Sequence, residues 1–260
     1  MAVTYSSYLK INELLALQKP KSDGPEHDEL LFIVIHQVYE LWFKETLHEL
    51  GALSKGLRNN DEPRITQVLK RVRSILKTLV AQVDILETMT PISFESFRDR
   101  LEAASGFQST QFRLIEFMLG KRSDGPLKQH SPESQEFQQL SSALQKPSIY
   151  DDFLHYLDAN NYPVPEKYLN RDVSQTTESL PEVQTILIDI YHNDPARTEV
   201  CELLVDIDEG LQEWRYRHVK MVQRTLGAKI GTGGSAGVGY LLTTLFTPLF
   251  PDLWEIRSEF

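Results

Sequence analysis

The apolar residues of this chain recur mainly with the period of an α-helix. Between Ile65 and Leu86 they follow the i, i+3, i+4, i+7 spacing of an amphipathic helix, with Pro63 at its start and Pro91 just past its end. A second stripe of this kind runs from about Thr198 to Leu226, and Gly227 after it is a natural C-terminal stop. These patterns predict two long helices, each with one face directed toward a core.

A third long helix is predicted from about Glu29 to Leu53. Its segment Leu30 to Ile35 is apolar all round, which predicts burial on every side. Segments 121–131 and 160–182 are polar and indicate loops, and no segment has a convincing strand pattern. We therefore expect an all-α protein: one domain over residues 1–260, built as a bundle of long antiparallel helices, with an N-terminal arm and first helix in residues 1–20. Shorter helices are predicted at Ser93–Leu101, Phe107–Leu119 and Ser148–Asp158.

Composition excludes several classes of function. The net charge is −10 and the Lys and Arg residues are scattered, so we expect no nucleic-acid partner, because phosphate contacts need clustered cations. The one cysteine, Cys201, rules out a Cys-rich metal site and suits a reducing compartment. Neither a signal peptide nor an apolar run of roughly 20 residues is recognisable, which predicts a cytoplasmic protein with no membrane partner.

Two of the seven histidines stand out by position. His218 falls on the apolar stripe between Trp214 and Met221, and His36 ends the apolar run of the third helix. For each, one interpretation is a core histidine with an ordinary partner, a backbone carbonyl for His218 and Glu40 for His36. The other interpretation makes His218 a metal or haem ligand and His36 a polar group on the wall of an apolar pocket. Neither has a second histidine one turn away, which excludes a two-histidine zinc motif.

Two further features are ambiguous on spacing alone. Arg98 lies between aromatic residues and suits a carboxylate ligand, although a surface ion pair with Glu95 or Asp99 is the commoner arrangement. The glycine-rich segment 231–239 loosely matches a dinucleotide fingerprint, but it follows a helix rather than a strand, so we reject that function. The glycine-rich segment is also compatible with a loop whose backbone closely approaches a ligand.

Several motifs, in order along the chain, resemble those of the tryptophan 2,3-dioxygenase family. The resemblance runs from about Tyr5 to Arg257, and a set of long motifs in the right order is far more specific than any one of them. The motifs are Leu31–Gln37 with Glu40–Trp42, Leu86–Thr90 with Phe97–Arg98, Ser105–Ser109, Trp214–His218, and Gly231–Ser235.

The resemblance implies a haem enzyme that uses O2 as co-substrate to convert L-tryptophan, or a close indole analogue, into N-formylkynurenine. It implies a b-type haem between helices, with His218 as the iron ligand and Ser105 and Gly106 beside the cofactor. It further implies a catalytic His36 that bonds the indole N–H, and a homotetramer. The remaining implied contacts are with the substrate: Phe32 and Phe94 at the indole, Arg98 at the carboxylate, Thr232 at the ammonium and carboxylate region, and Tyr5, Tyr8 and Leu9 from a neighbouring subunit's arm.

Two other functions remain open at the level of sequence. A haem oxygenase acting on a substituted tryptophan or indole would insert one oxygen atom rather than two. A helical protein that senses haem or an indole would change its spectrum with ligand but form no product. The mass of the product distinguishes these alternatives from tryptophan ring opening.

Overall fold

The computed structural model describes residues 2–24, 26–102, 104–227, 229, 241–242 and 245–260. These residues contain no strand, which confirms the all-α prediction. Short 3₁₀ helices lie at Asp99–Leu101, Gly106–Gln108, Gly125–Gln129 and Ile256–Glu259. The α-helices are α1 (Tyr5–Leu9), α2 (Ile11–Leu14), α3 (His27–Arg58), α4 (Glu62–Leu86), α5 (Pro91–Arg98), α6 (Thr110–Met118), α7 (Gln135–Leu144), α8 (Ile149–Ala159), α9 (Glu166–Leu169), α10 (Pro181–Asn193), α11 (Pro195–Leu226) and α12 (Pro251–Glu255).

The three long helices α3, α4 and α11 form the framework. A short connection joins α3 to α4, so these two helices run antiparallel, and the Tyr39 hydroxyl donates to the Leu79 carbonyl across the pair (3.0 Å). The α11 helix returns after a much longer connection and lies parallel to α4, so it runs opposite to α3. Gly210 allows the close approach of α4 and α11, because a Cβ atom there would lie 3.3 Å from the Leu76 side chain.

Local capping explains where these helices begin. Asp61 accepts a hydrogen bond from the Arg64 amide at the start of α4, and Asp194 accepts one from the Arg197 amide at the start of α11. The predicted capping box at the start of α8 is present, with Ser148 and Asp151 bonded reciprocally. Polar side chains of these types therefore set the helix boundaries, and the apolar stripes decide which face each helix buries.

The structure differs from the sequence prediction in the first turns of α3. Ile35 is buried, but Leu30 and Val34 are 48% and 37% exposed, so the prediction that this segment is buried on every side was wrong. Helices α4, α5, α6 and α8 pack against α3, but they leave Leu30 and Val34 in its first turns uncovered. These apolar residues remain at the surface of the isolated chain.

The connections are more helical than predicted. The expected helix from Phe107 to Leu119 is interrupted at Ser109, whose extended backbone separates a 3₁₀ turn from α6. The two polar segments predicted as loops contain the 3₁₀ helix Gly125–Gln129 and α9. In the described part of the chain, no helix combines the length and the apolar character that crossing a membrane requires.

Candidate active site

An apolar cavity lies among α3, α5, α6 and α11. Its volume is about 260 Å³, whereas roughly 15 Å³ holds a single water molecule, so the space suits a substantial ligand. Carbon atoms of apolar side chains make up most of its surface, including Phe43, Leu86, Met89, Phe112, Val219 and Met221. Both histidines that the sequence singles out, His36 and His218, line this same cavity.

His36 has a defined hydrogen-bonding state. Its Nδ1 atom lies 2.7 Å from the Phe32 carbonyl oxygen one turn earlier on α3. Desolvation by the surrounding residues lowers the pKa of His36 although part of the residue remains exposed, and the Phe32 carbonyl and the charge of Glu40 oppose this shift. A neutral imidazole bonded to a carbonyl must carry its proton on Nδ1, because the carbonyl can only accept. Nε2 therefore has a free lone pair and is the atom with which this ring can accept a hydrogen bond.

The alternative partner considered for His36 is engaged elsewhere. Glu40 accepts hydrogen bonds from the Ser109 hydroxyl and from the Gln111 side-chain amide, at 2.5 and 2.8 Å. These contacts join α3 to the beginning of α6 on the cavity wall. Glu40 therefore holds two walls of the cavity together rather than serving as the hydrogen-bond partner of His36.

His218 is held on α11 by an aromatic neighbour. The indole ring of Trp214, one turn earlier, stacks on the imidazole with ring centroids 5.3 Å apart and planes 9° from parallel. Burial lowers the pKa of His218 to about 4, and the charges of His36 and Arg113 act in the same direction. The imidazole is thus neutral near pH 7, which is the state that binds metals.

A compact ionic cluster forms one end of the cavity wall. The carboxylate of Glu116 is surrounded by Arg113, by Arg215 at 2.7 Å and by Lys121 at 3.1 Å. Burial alone would raise the pKa of Glu116, but the charges of Arg113, Arg215 and Lys121 outweigh it and lower the pKa to about 2. Three cations around one carboxylate leave this wall positively charged.

One buried donor of this cluster lacks a partner among the described residues. It is Nη1 of Arg215, which lines the cavity. The indole N–H of Trp214, on the same wall, interacts with the Tyr39 hydroxyl. A buried N–H without an acceptor costs on the order of 1–3 kcal/mol. The wall is therefore suited to a ligand that brings anionic or other acceptor groups.

Comparison with known proteins assigns the family. A family model described as tryptophan 2,3-dioxygenase matches residues 1–148 and 170–260. The chain belongs to the tryptophan 2,3-dioxygenase family. Curated relatives with that name include a protein of Herpetosiphon aurantiacus, 57% identical over 99% of this chain and 98% of its own length. The corresponding proteins of Anaeromyxobacter dehalogenans and Caulobacter vibrioides are 53% and 44% identical, over 99% of this chain and 96% and 98% of their own lengths.

The structure brings together many of the residues that the family resemblance implicates. One set shares the wall of the cavity: Phe32, His36, Phe94, Ser105, Gly106 and His218. The ring centroid of Phe32 lies 4.1 Å from that of His36 and 5.9 Å from that of Phe94, so these three rings form one aromatic surface.

The other implicated residues lie apart from this wall or outside the described residues. Arg98 is not among the described residues that line the cavity; its guanidinium lies 3.8 Å from Glu95, which also pairs with Lys229 at 2.9 Å. Thr232 lies outside the described residues. The three residues of the predicted arm are at the surface, with Tyr5 and Tyr8 more than three-quarters exposed and Leu9 43% exposed.

Sequence reasoning assigned no role to the ionic cluster. Glu116 lies on the predicted helix 107–119, three residues after Arg113, which is the spacing of an ordinary surface ion pair. Arg215 is distant in sequence, and only the packing of α6 near α11 brings it to the same carboxylate. The one available signal was a pair of charged residues within an otherwise apolar helix.

Proposed function

We propose that this protein opens the indole ring of L-tryptophan by inserting both atoms of O2 across the C2–C3 bond, giving N-formylkynurenine. The observation that carries this proposal is the pair of neutral imidazoles, His36 and His218, in the wall of one apolar cavity. The relatives that are 40–57% identical over nearly the whole chain bear the name of this activity.

The residues of the cavity fit a b-type haem. His218 would bind the iron through its neutral imidazole, with Ser105 and Gly106 beside the macrocycle. The apolar wall suits the porphyrin ring, and the positive wall with the unfilled Nη1 donor of Arg215 suits the carboxylates of a haem. When bound, ferrous haem supplies the centre at which O2 is activated for reaction with the indole ring.

The protein's own contribution is to bind and orient the substrate. His36 Nε2 would accept the indole N–H, and Phe32 and Phe94 would pack against the ring system. Arg98 would bind the substrate carboxylate and Thr232 its ammonium and carboxylate region. The apolar wall excludes water from the reacting ring, and orientation of this kind accounts for a large share of catalysis when reactants are held in the right geometry.

The surface of the isolated chain is consistent with a homotetramer. The N-terminal arm exposes Tyr5, Tyr8 and Leu9, and the first turns of α3 expose Leu30 and Val34. Apolar groups of this kind favour association with a further chain. We propose that the arm of one subunit reaches the site of its neighbour, and that the enzyme works in the cytoplasm.

The deciding experiment follows the fate of both oxygen atoms. The haem-replete protein, reduced and supplied with ¹⁸O2 and L-tryptophan, is expected to yield N-formylkynurenine with two labelled oxygen atoms.

A His218→Ala variant is expected to lose most of its haem absorbance during purification, while exposed His48→Ala retains it. A product with one added oxygen, or binding without any product, would replace this proposal with the substituted-indole oxygenase or the sensor.

A further inference from the structure

Among residues that do not line the cavity, a second group of buried charges lies where three segments meet. Arg122 follows α6, Asp151 belongs to the first turn of α8, and Arg171 begins the segment between α9 and α10. Arg122 and Asp151 are buried, and the Arg171 side chain is only 14% exposed. The hydroxyl of Thr176 donates to the Arg122 carbonyl oxygen (3.3 Å), which fastens the third segment to the first.

Most donor atoms of the two guanidinium groups have hydrogen-bond partners in the protein. Arg122 donates through Nη1 to the carbonyl of Ala143, in the last turn of α7, and through Nη2 to the carbonyl of Lys146, just beyond that helix. Arg171 donates through Nε to Asp151 at 2.6 Å and through Nη1 to the Gln175 carbonyl at 2.8 Å. These contacts fix both side chains in place.

Three buried donors at this junction have no hydrogen-bond partner within the described part of the chain. They are Nε of Arg122, Nη2 of Arg171 and Oγ1 of Thr177. Arg122 and Thr177 are both more than nine-tenths buried. Thr176, which precedes Thr177, bonds to Arg122, and the charge of Arg171 acts on Arg122, so the three side chains belong to one junction. Unfilled buried donors at one junction indicate a missing acceptor.

The charges at the junction do not balance. Asp151 uses one oxygen for Arg171 and the other for the amide and hydroxyl of Ser148, and no carboxylate of the described residues is bonded to Arg122. Burial and the neighbouring charge of Arg171 lower the pKa of Arg122, although Asp151 opposes this shift. The nearby Asp172 is exposed and bonded to Ser174, and Asp152 pairs with Arg58. Within the described part of the chain, one positive charge therefore remains buried without a counter-ion.

We propose that this junction binds one small monovalent anion, with chloride or a formate-sized carboxylate as the chemical class. Arg122, Arg171 and Thr177 are its donors. A neutral water molecule can fill a donor but cannot compensate the buried charge, and a phosphate or sulfate carries more charge than the site lacks. The anion links the segment 171–177 to the ends of α6 and α7, so it stabilises the fold through residues that do not line the cavity.

The solution test measures unfolding of the full-length, haem-replete protein at constant ionic strength while gluconate is replaced by chloride. Chloride is expected to raise the midpoint of thermal unfolding by about 2–4 °C, since a ligand of the native state stabilises it. Crystals soaked in bromide are expected to show an anomalous peak in contact with Arg122 and Thr177. No midpoint shift, or a peak without any shift (an adventitious ion only), overturns the proposal.

Two variants separate anion binding from a merely structural role. Thr177→Val keeps the shape of the side chain but removes the hydroxyl. The chloride concentration that gives half of the rise in the unfolding midpoint is expected to increase about tenfold or more. Thr78→Val, on an exposed face of α4, is the control. Arg122→Met is expected to abolish the chloride effect, with exposed Arg64→Met as its control. If Thr177→Val stabilises the protein equally in both salts, its hydroxyl binds no anion and the proposal is wrong.

Discussion

At the scale of the residue, the contact between His36 Nδ1 and the Phe32 carbonyl decides what the cavity can recognise. It assigns the ring proton to Nδ1 and leaves Nε2 as an acceptor. An acceptor in an apolar wall favours a ligand with one N–H group and discriminates against the same ligand without it. The indole N–H of tryptophan meets this requirement.

The first prediction concerns the proposed hydrogen bond from the indole N–H of tryptophan to His36 Nε2. His36→Ala is expected to weaken binding of L-tryptophan by about 0.5–1.5 kcal/mol, the usual net value of one hydrogen bond. Binding of 1-methyl-tryptophan, which lacks the donor, should change much less. Spectral titration of the haem-replete protein measures both affinities, with exposed His48→Ala on the same helix as the control. Equal losses for the two ligands would show that His36 acts only by filling space.

The second prediction concerns Arg98. We expect Arg98→Ala to weaken L-tryptophan binding by about 1.5–3 kcal/mol, the range for a hydrogen bond to a charged group, and to leave indole binding nearly unchanged. In the Arg98→Ala variant, Glu95 would lose its ion pair with Arg98 but keep its ion pair with Lys229. Calorimetric titration with the two ligands measures the difference. A similar loss for indole would assign Arg98 a structural role instead.

Sequence could place both histidines on apolar faces but could not decide their partners. The spacing of His36 and Glu40 allowed a direct pair, yet Glu40 bonds Ser109 and Gln111, which lie about 70 positions later in the chain. The tautomer of His36 follows from one distance to a carbonyl, and no residue pattern encodes that distance. Contacts of this kind arise from tertiary packing, so they became visible only in the folded chain.

At the scale of the element, the long helices were predictable because local signals agree with the hydrophobic period. The stripe from Ile65 to Leu86 coincides with α4, and the capping pair Ser148 and Asp151 marks the start of α8 as expected. Helices α7 and α10 were not predicted. The first fully buries only Leu140, and the second begins with Pro181 inside a polar segment, so neither has a strong pattern of its own.

The interruption at Ser109 gives the third prediction. Its hydroxyl accepts the Phe112 amide as the N-cap of α6 and also donates to Glu40 on α3. Ser109→Ala removes both contacts and is expected to lower the free energy of unfolding by about 0.5–2 kcal/mol. Urea unfolding measures this loss, and Ser142→Ala on the exposed surface of α7 is the matched control. A loss no greater than that of the control would mean that the cap contributes nothing.

At the scale of the whole molecule, the N-terminal arm gives the fourth prediction. None of the residues of α1 or α2 is buried in the isolated chain, although both helices carry apolar side chains. Deleting residues 2–15 is therefore expected to leave the helical content nearly unchanged and to reduce the proposed tetramer to smaller species. Light scattering after size-exclusion chromatography measures the mass, and circular dichroism checks the fold. A tetramer that persists would place the contacts between subunits elsewhere.

The acid stability of the molecule should depend on the buried carboxylate of Glu116, and this is the fifth prediction. The pKa of Glu116 is about 2 in the folded chain against 4.5 for an unperturbed glutamate. A carboxylate with a depressed folded pKa stabilises the fold fully above pH 4.5 and progressively less as the pH falls toward 2. Glu116→Gln leaves Arg113, Lys121 and Arg215 without their shared anion, so we expect a loss of about 3–5 kcal/mol at pH 7, the range for breaking a buried ion pair.

The difference in the free energy of unfolding between wild type and Glu116→Gln should shrink as the pH falls through 4.5, because Glu116 then takes up a proton in the unfolded wild type but not in the folded one. Urea unfolding at pH 7, 5 and 4 measures it. The half-exposed pair of Glu199 with Lys70 provides the control, and Glu199→Gln should change stability by about 0–1 kcal/mol. If the difference in the free energy of unfolding between wild type and Glu116→Gln were constant between pH 7 and 4, the charge of Glu116 would not stabilise the wild type. The three cations would then be stabilised by their other contacts, and the positive wall of the cavity would not depend on this carboxylate.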